Sequence, residues 1–268
     1  MKAPLSGRTG LVTGSVQGIG LAVARSLARA GMRIAVHGLV TRAEGDAVAA
    51  ALVAEGAPDA RFFDADMRAP AAIEAMMDAI EQWGPLDVLV NNAGIQKTAP
   101  LAEIERTTWD AILAVNLSGA FLTMQRALPG MAARGYGRVI NIASVHGLVA
   151  SKHKAPYCAA KFGLVGLSRV AALEYADAGS RASGGVTVNC ICPGWTETDI
   201  IAPQIADRAK TLRQDRDAAI ASLLAEKQPS LRMSDPSEIG ELAAWLCHPV
   251  THNMTGLSIP VDGGWTAQ

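Results

Sequence analysis

The sequence predicts an α/β fold, a doubly wound parallel sheet of seven strands with helices on both faces, in one domain spanning residues 1–268. Three observations predict it. Short apolar runs, of the kind that parallel strands show when buried on both faces, recur along the chain. Longer stretches with apolar residues at helical spacing separate them. No linker divides the chain, and one large sheet covered by helices absorbs this length. Strands alternating with helices build βαβ units, whose right-handed crossovers wind a sheet outward in both directions.

In chain order, residues 9–13 read as the first strand and 19–30 as the helix after it. Strands at 33–37 and 61–63 precede a helix at 71–83, and a strand at 86–90 precedes a long helix at 107–128. The strand at 138–143 leads to a helix at 157–176; a strand at 186–192, a helix at 237–246 and a strand at 258–261 complete the pattern. Two stretches break the rhythm. Residues 177–185 are small, polar and glycine-rich, which reads as an exposed connection. Residues 196–234 form the longest piece between a strand and the next core helix, and connections of that length usually carry function; a lid over the site is expected there. Its charged run, residues 207–217, reads as the solvated face of a helix.

Half the residues are apolar, 18% are charged and the net charge is -1, so the chain can bury a large core and disorder is excluded. No block of Lys and Arg invites nucleic acid or an anionic membrane, and the expected partner is small. Residues 1–14 hold no apolar stretch of secretory type, and no run of 18 apolar residues suggests a spanning helix. Cys158, Cys190, Cys192 and Cys247 suit neither zinc nor redox spacing. They read as buried small hydrophobes in a reducing compartment; a cytoplasmic location and no metal site are expected.

The first strand runs into Thr13-Gly14-Ser15-Val16-Gln17-Gly18-Ile19-Gly20, where an apolar helix opens. Glycines there let the backbone approach a pyrophosphate, and the helix N-terminus offers free N–H groups, as in the Rossmann arrangement; a tight structural turn is the alternative. At the end of the second strand, where an acidic residue often holds the adenosine ribose, the chain reads His37-Gly38-Leu39. No basic residue lies in the glycine loop and only Arg42 follows, so NAD is favoured over its 2′-phosphorylated form.

Tyr157 and Lys161 are four residues apart at a helix start and share a face, so an ammonium can sit near a phenol and favour its ionised form. Ser144, at a strand end, points to the same acid–base chemistry. Read alone, Tyr157 could be a packed aromatic and Lys161 a surface charge, and Asn91-Asn92-Ala93-Gly94 could be a plain turn. Asn116, inside an apolar helix, needs partners for its amide.

Together these motifs, with Pro193-Gly194, resemble the short-chain dehydrogenase/reductase family in order and across most of the chain. The resemblance implies an oxidoreductase with a catalytic tetrad of Asn116, Ser144, Tyr157 and Lys161. In it Tyr157 is the acid–base, Ser144 orients the substrate oxygen, Lys161 holds the nicotinamide ribose and lowers the phenol pKa, and Asn116 supports a relay water. The implied cofactor residues are Gly14, Ser15, Gln17, Gly18, Ile19, Gly20, Asp66, Met67, Asn92, Ala93, Gly94, Tyr157, Lys161, Pro193, Gly194 and Thr196.

A narrower likeness lies in Asn92-Ala93-Gly94-Ile95-Gln96, residues 144–151, Cys192-Pro193-Gly194-Trp195, residues 226–230 and residues 261–265. These are similar to the branch of bacterial D-3-hydroxybutyrate dehydrogenases. That likeness implies a substrate site of Gln96, Ser144, His146, Lys154, Tyr157, Trp195, Gln204 and Trp265. Gln96, His146, Lys154 and Gln204 would bind the carboxylate, and Trp195 and Trp265 would wall the methyl end. With the family set aside, His146 also reads as a histidine behind the site or on the surface, and Lys154 as a solvated side chain. The family further implies a homotetramer packed through the helices at 107–128 and 157–176. Another small hydroxy or oxo acid, or a non-catalytic NAD-binding regulator, are the competing readings. Two departures stand out: the 177–185 loop is longer than in the family, and His37 replaces a residue more often Asn.

Overall fold

The computed structural model describes residues 4–267, so residues 1–3 of the stretch read as lacking a leader lie outside it. One parallel sheet contains β1 (Thr9–Val12), β2 (Arg33–His37), β3 (Ala60–Phe63), β4 (Val88–Asn91), β5 (Tyr136–Ile142), β6 (Gly185–Pro193) and β7 (Ser258–Val261). Their spatial order is β3-β2-β1-β4-β5-β6-β7, every pair parallel. The order reverses between β1 and β4, which opens a crevice at the C-terminal ends of those strands.

The strands are apolar on both faces because both are covered. Successive side chains of a strand point opposite ways. Val12, Ile34 and Val36 meet α1 (Gly18–Arg29), α2 (Arg42–Ala54) and α9 (Pro236–Leu246) through Val23, Leu27, Leu52 and Ile239. Leu11, Leu89 and Val139 meet α3 (Pro70–Trp83) and α5 (Gly119–Arg134) through Ile73, Met77, Met124 and Leu128. Fully burying each of these large side chains contributes about 1.5–3 kcal/mol.

Several expectations shift. Helix α2 follows Thr41, whose side chain forms a reciprocal capping box with Glu44; its alanine-rich sequence lacks a strong apolar stripe. The long helix expected at 107–128 is α4 (Arg106–Leu113), a π turn (Ala114–Ser118) and then α5, which runs past Pro129 to a left-handed Gly135. That continuous run, Arg106–Arg134, is long and apolar enough by composition to cross a membrane, although polar residues interrupt it and it holds no run of 18 apolar residues. The cause is continuity of helix through the π turn; Met124, Leu128 and Met131 on it are packed in the core.

The 196–234 segment folds as a 3-10 turn (Asp199–Ile201), α7 (Ala202–Leu212) and α8 (Arg216–Lys227). The charged run is therefore not one helix face. It crosses the end of α7, a left-handed Arg213 and the Asp215 N-cap of α8, because Asp215 accepts the Ala218 N–H and starts a new helix. Both ends of the segment are tied by a bridge between Thr196 and Ser234. Val145, Trp195, Ile205, Leu223, Leu224 and Trp265 make a small apolar core beneath it. The 177–185 loop is a connection as expected; buried Arg138 donates to the Gly184 and Gly185 carbonyls at 3.1 and 2.9 Å.

Candidate active site

A cavity of about 550 Å³ lies in the crevice at the switch point. Of the residues expected in the site, all but Ser15, Gly20 and Asn116 line it. Ser15 is buried, its Oγ accepting the His37 N–H at 3.0 Å, so it braces the loop from behind. Gly20 serves packing: a Cβ there would stand 2.2 Å from the Gly14 oxygen. Asn116 borders a smaller adjoining pocket with Thr13, Met67 and Lys161.

The nucleotide end is built from the glycine loop. Gly14 and Gly18 take positive φ of 64° and 55°, which non-glycine residues resist. The α1 N-cap, Gln17, makes no side-chain cap bond and no acidic residue sits in the first turn, so the helix offers unpaired N–H groups to an anion. These features fit a pyrophosphate. Asn92 is more than a turn residue: its Nδ2 donates to the Thr13 and Gly14 carbonyls at 2.9 and 3.1 Å. Thr13 Oγ1 in turn accepts the N–H groups of Asn92 and Ala93.

At the other end lie the groups expected to react. Ser144 caps the short turn Val145–Gly147 after β5, and its Oγ accepts the His146 N–H at 3.1 Å and pairs with Nδ1 at 3.2 Å. Helix α6 (Ala155–Glu174) begins with Pro156 in its first turn, where the missing N–H costs nothing, and Lys154 is its N-cap. This start delivers Tyr157 and Lys161 on one face. Lys161 Nζ donates to the Ile142 carbonyl at 2.7 Å and lies 5.6 Å from the Tyr157 ring centre.

The expectation that Lys161 brings the phenol toward neutrality is not met. Burial pushes Tyr157 up to about 12, with the Ser144 hydroxyl pulling it down less strongly. Tyr157 keeps part of its surface exposed, yet the protein packed around it outweighs that access. Burial also holds Lys161 down, to about 8. Asn116 finds its partners in one residue: Oδ1 accepts the Ile95 N–H at 2.9 Å and Nδ2 donates to the Ile95 carbonyl at 3.0 Å. The π turn widens the helix there, and the amide pins the loop that carries Gln96.

Lys154 is not a solvated side chain. It is 8% exposed and has no acidic or hydrogen-bonding partner among the described residues. Its Nζ stands 5.3 Å over the Trp195 ring, and burial holds it down to about 8. Neither is His146 a surface residue: burial first, then the Lys154 charge, push it down to about 3, and its Nε2 is buried without a partner. The ring meets Tyr157 and Trp265 edge-on at 5.9 and 5.5 Å. Trp195 and Trp265 lie 6.1 Å apart, and Gln204 of α7 closes the same end.

Two residues of this region were not singled out as site residues from the sequence. Gln228, buried at the end of α8, accepts the Trp195 N–H at 3.1 Å and donates to the Arg232 carbonyl, fixing a cavity wall. Leu39 is an exposed apolar side chain that lines the cavity beside Gly38 and Val40. Leu39's place just after the C-terminal end of a strand was the available signal; Gln228, among the polar residues at the end of α8, offered none beyond the likeness carried by residues 226–230.

The profile of the short chain dehydrogenase family matches residues 8–209. The chain belongs to that family. This short-chain dehydrogenase is 45% identical over 268 aligned residues to the D-beta-hydroxybutyrate dehydrogenase of Cupriavidus necator, covering 98% of this chain and all of that one. It is 40% identical to the enzyme of the same name from Rhizobium meliloti, over 97% of this chain and 99% of the other. Among solved structures, it is similar to a gluconate 5-dehydrogenase from Burkholderia cenocepacia in complex with NADP and tartrate. That match has a TM-score of 0.88 and 33% identity, over 100% of this chain and 98% of the other. As a short-chain dehydrogenase, the protein is an oxidoreductase with a nucleotide crevice at the sheet's switch point.

Proposed function

We propose that this dehydrogenase interconverts (R)-3-hydroxybutyrate and acetoacetate, with NAD as its cofactor. The observation that carries the reading is Lys154: an ammonium buried without an anion among the described residues, facing a cavity beside a His146 nitrogen that has no partner among them. A buried charge is costly until it is paired, and a substrate carboxylate would complete it through a charge-assisted hydrogen bond. The names of the two relatives support the same acid.

At the reacting end, Tyr157 takes the hydroxyl proton during oxidation and returns it during reduction, while Ser144 orients the oxygen. Lys161 and the Asn116 pocket hold a proton path behind the phenol. Bound in the crevice, an oxidised nicotinamide supplies the hydride acceptor. Gln96, His146, Lys154 and Gln204 fix the carboxylate, with Trp195 and Trp265 limiting the carbon chain. The non-phosphorylated cofactor is favoured because the basic side chains near the adenosine end are engaged. Arg68 pairs with Asp66, and Arg42 with the Phe62 carbonyl and Asp46. Glu44 at the α2 N-terminus adds a repelling carboxylate.

The test is absorbance of reduced cofactor at pH 8 with NAD or NADP and D-3-hydroxybutyrate, L-3-hydroxybutyrate, D-lactate and longer 3-hydroxy acids. Turnover of the D-enantiomer with NAD, well above every other pair, is expected. Equal or faster turnover of D-lactate or of the L-enantiomer, or of D-3-hydroxybutyrate with NADP, would overturn it.

All four cysteines are free thiols, which suits the reducing cytoplasm proposed as its location. Apolar side chains left exposed on α5 and α6, Phe121, Phe162 and Val170, fit assembly through these helices into a homotetramer. Sedimentation equilibrium should give four times the chain mass of 27.9 kDa, and Phe162→Asp should shift it to smaller species.

A further inference from the structure

We infer that His37 is the positioning residue of the dinucleotide crevice, a single side chain that fixes the glycine loop and the β3 exit relative to each other. The inference rests on the reading of that crevice as a dinucleotide site. His37 ends β2 and is 2% exposed. Its Nδ1 accepts the Gly14 N–H at 3.0 Å, and its Nε2 lies 3.0 Å from the Ala65 carbonyl.

The two contacts define the tautomer. A backbone N–H can donate only to an unprotonated nitrogen, so Nδ1 is bare and the proton sits on Nε2, where it donates to Ala65. Each end of the neutral ring is satisfied. Gly14 is the first glycine of the phosphate loop, and Ala65 directly precedes Asp66 and Met67 on the cavity wall. The main-chain links reinforce the arrangement: Ser15 N–H donates to the His37 carbonyl at 2.8 Å, and His37 N–H to Ser15 Oγ at 3.0 Å. Two loops that line the cavity thus meet at the end of β2 in one residue.

The bonds at the two ends are separable by substitution. An Asn side chain places its oxygen near the position of Nδ1 and can accept from Gly14. A Gln side chain reaches toward Nε2 and can donate to Ala65. A Leu keeps the buried volume and makes neither bond. Protonation at Nδ1 would set an N–H against the Gly14 N–H and release the loop. Burial opposes that proton, and the Asp64 charge favours it. The other charged groups near this end are already paired, Arg42 with Asp46 and, at 4.0 Å, Asp64, and Arg68 with Asp66; residues 13–20 and 91–96 carry no charge.

The experiment is titration of the full-length protein with NADH and, separately, NADPH, read by nicotinamide fluorescence between pH 8 and pH 5.5. Whichever of the two the wild type binds more tightly is the probe for the variants. His37→Leu should raise the Kd about tenfold. His37→Asn should recover most of the affinity and His37→Gln less. In the wild type the Kd should be flat at neutral pH and rise only below the ordinary histidine range, and that acid rise should vanish in His37→Asn. Should His37→Leu fail to fold, the Asn and Gln variants still decide. Equal affinities of the two, or an Asn variant with the wild-type acid rise, overturn the inference while leaving the dinucleotide site standing. A wild type that binds neither nucleotide defeats the dinucleotide reading itself, and the inference with it.

Discussion

Tyr157→Phe is expected to lower kcat/KM in both directions by about 10²–10⁴-fold, the usual contribution of a positioned acid–base. The substitution removes one oxygen from a ring that keeps its packing against His146, so the fold should be unchanged and the nucleotide affinity should fall by no more than one hydrogen bond is worth, about 2–10-fold. The comparison that checks it is steady-state turnover beside NADH binding for the same preparation. Turnover near that of the wild type would remove Tyr157 from the chemistry. The raised phenol pKa adds a sign. Below about 12 the phenolate fraction grows tenfold per pH unit, so oxidation should accelerate with pH while reduction, which uses the protonated phenol, should not.

Lys154→Ala should raise KM for the hydroxy acid by about 10–100-fold with a smaller change in kcat, the cost of losing a charge-assisted bond to the carboxylate. Its pH dependence follows from burial. A lysine held down to about 8 is cationic below that pH and loses its charge above it, so carboxylate affinity falls as pH rises through about 8. Combined with the phenol, log kcat/KM for oxidation should climb with unit slope to about pH 8 and then level off. Lys161 is held down to the same value, so the variant makes the assignment. If Lys154 is the group, the Lys154→Ala profile keeps climbing past pH 8; a break that persists belongs elsewhere.

What the sequence made legible follows from range. The glycine loop, the Tyr157–Lys161 pair and the alternation of strands and helices are local patterns, written within a few residues, and the structure reproduces them. The residues that reading alone left unexplained act across the chain. His37 joins Gly14 to Ala65, Asn116 reaches back to Ile95, and Gln228 holds Trp195 from 33 residues away. No spacing rule announces such partners. The phenol was misjudged for a related reason: the lysine beside it is visible in the sequence, whereas the protein packed around both is not. Lys154 shows the converse. Nothing local distinguishes it from a solvated lysine, and only the folded chain reveals a cation over Trp195 with no anion beside it among the described residues.

The small apolar cluster under α7 and α8 is separate from the two cores that clamp the sheet. It shapes the end of the cavity proposed to bind the acid, whereas the sheet cores hold the strands whose ends form the glycine-loop end. Volume-conserving substitutions within it are therefore expected to alter which acid is recognised while the strands stay clamped by the sheet cores. An architecture divided in this way lets inherited variation explore new substrates while the machinery for moving hydride is left intact.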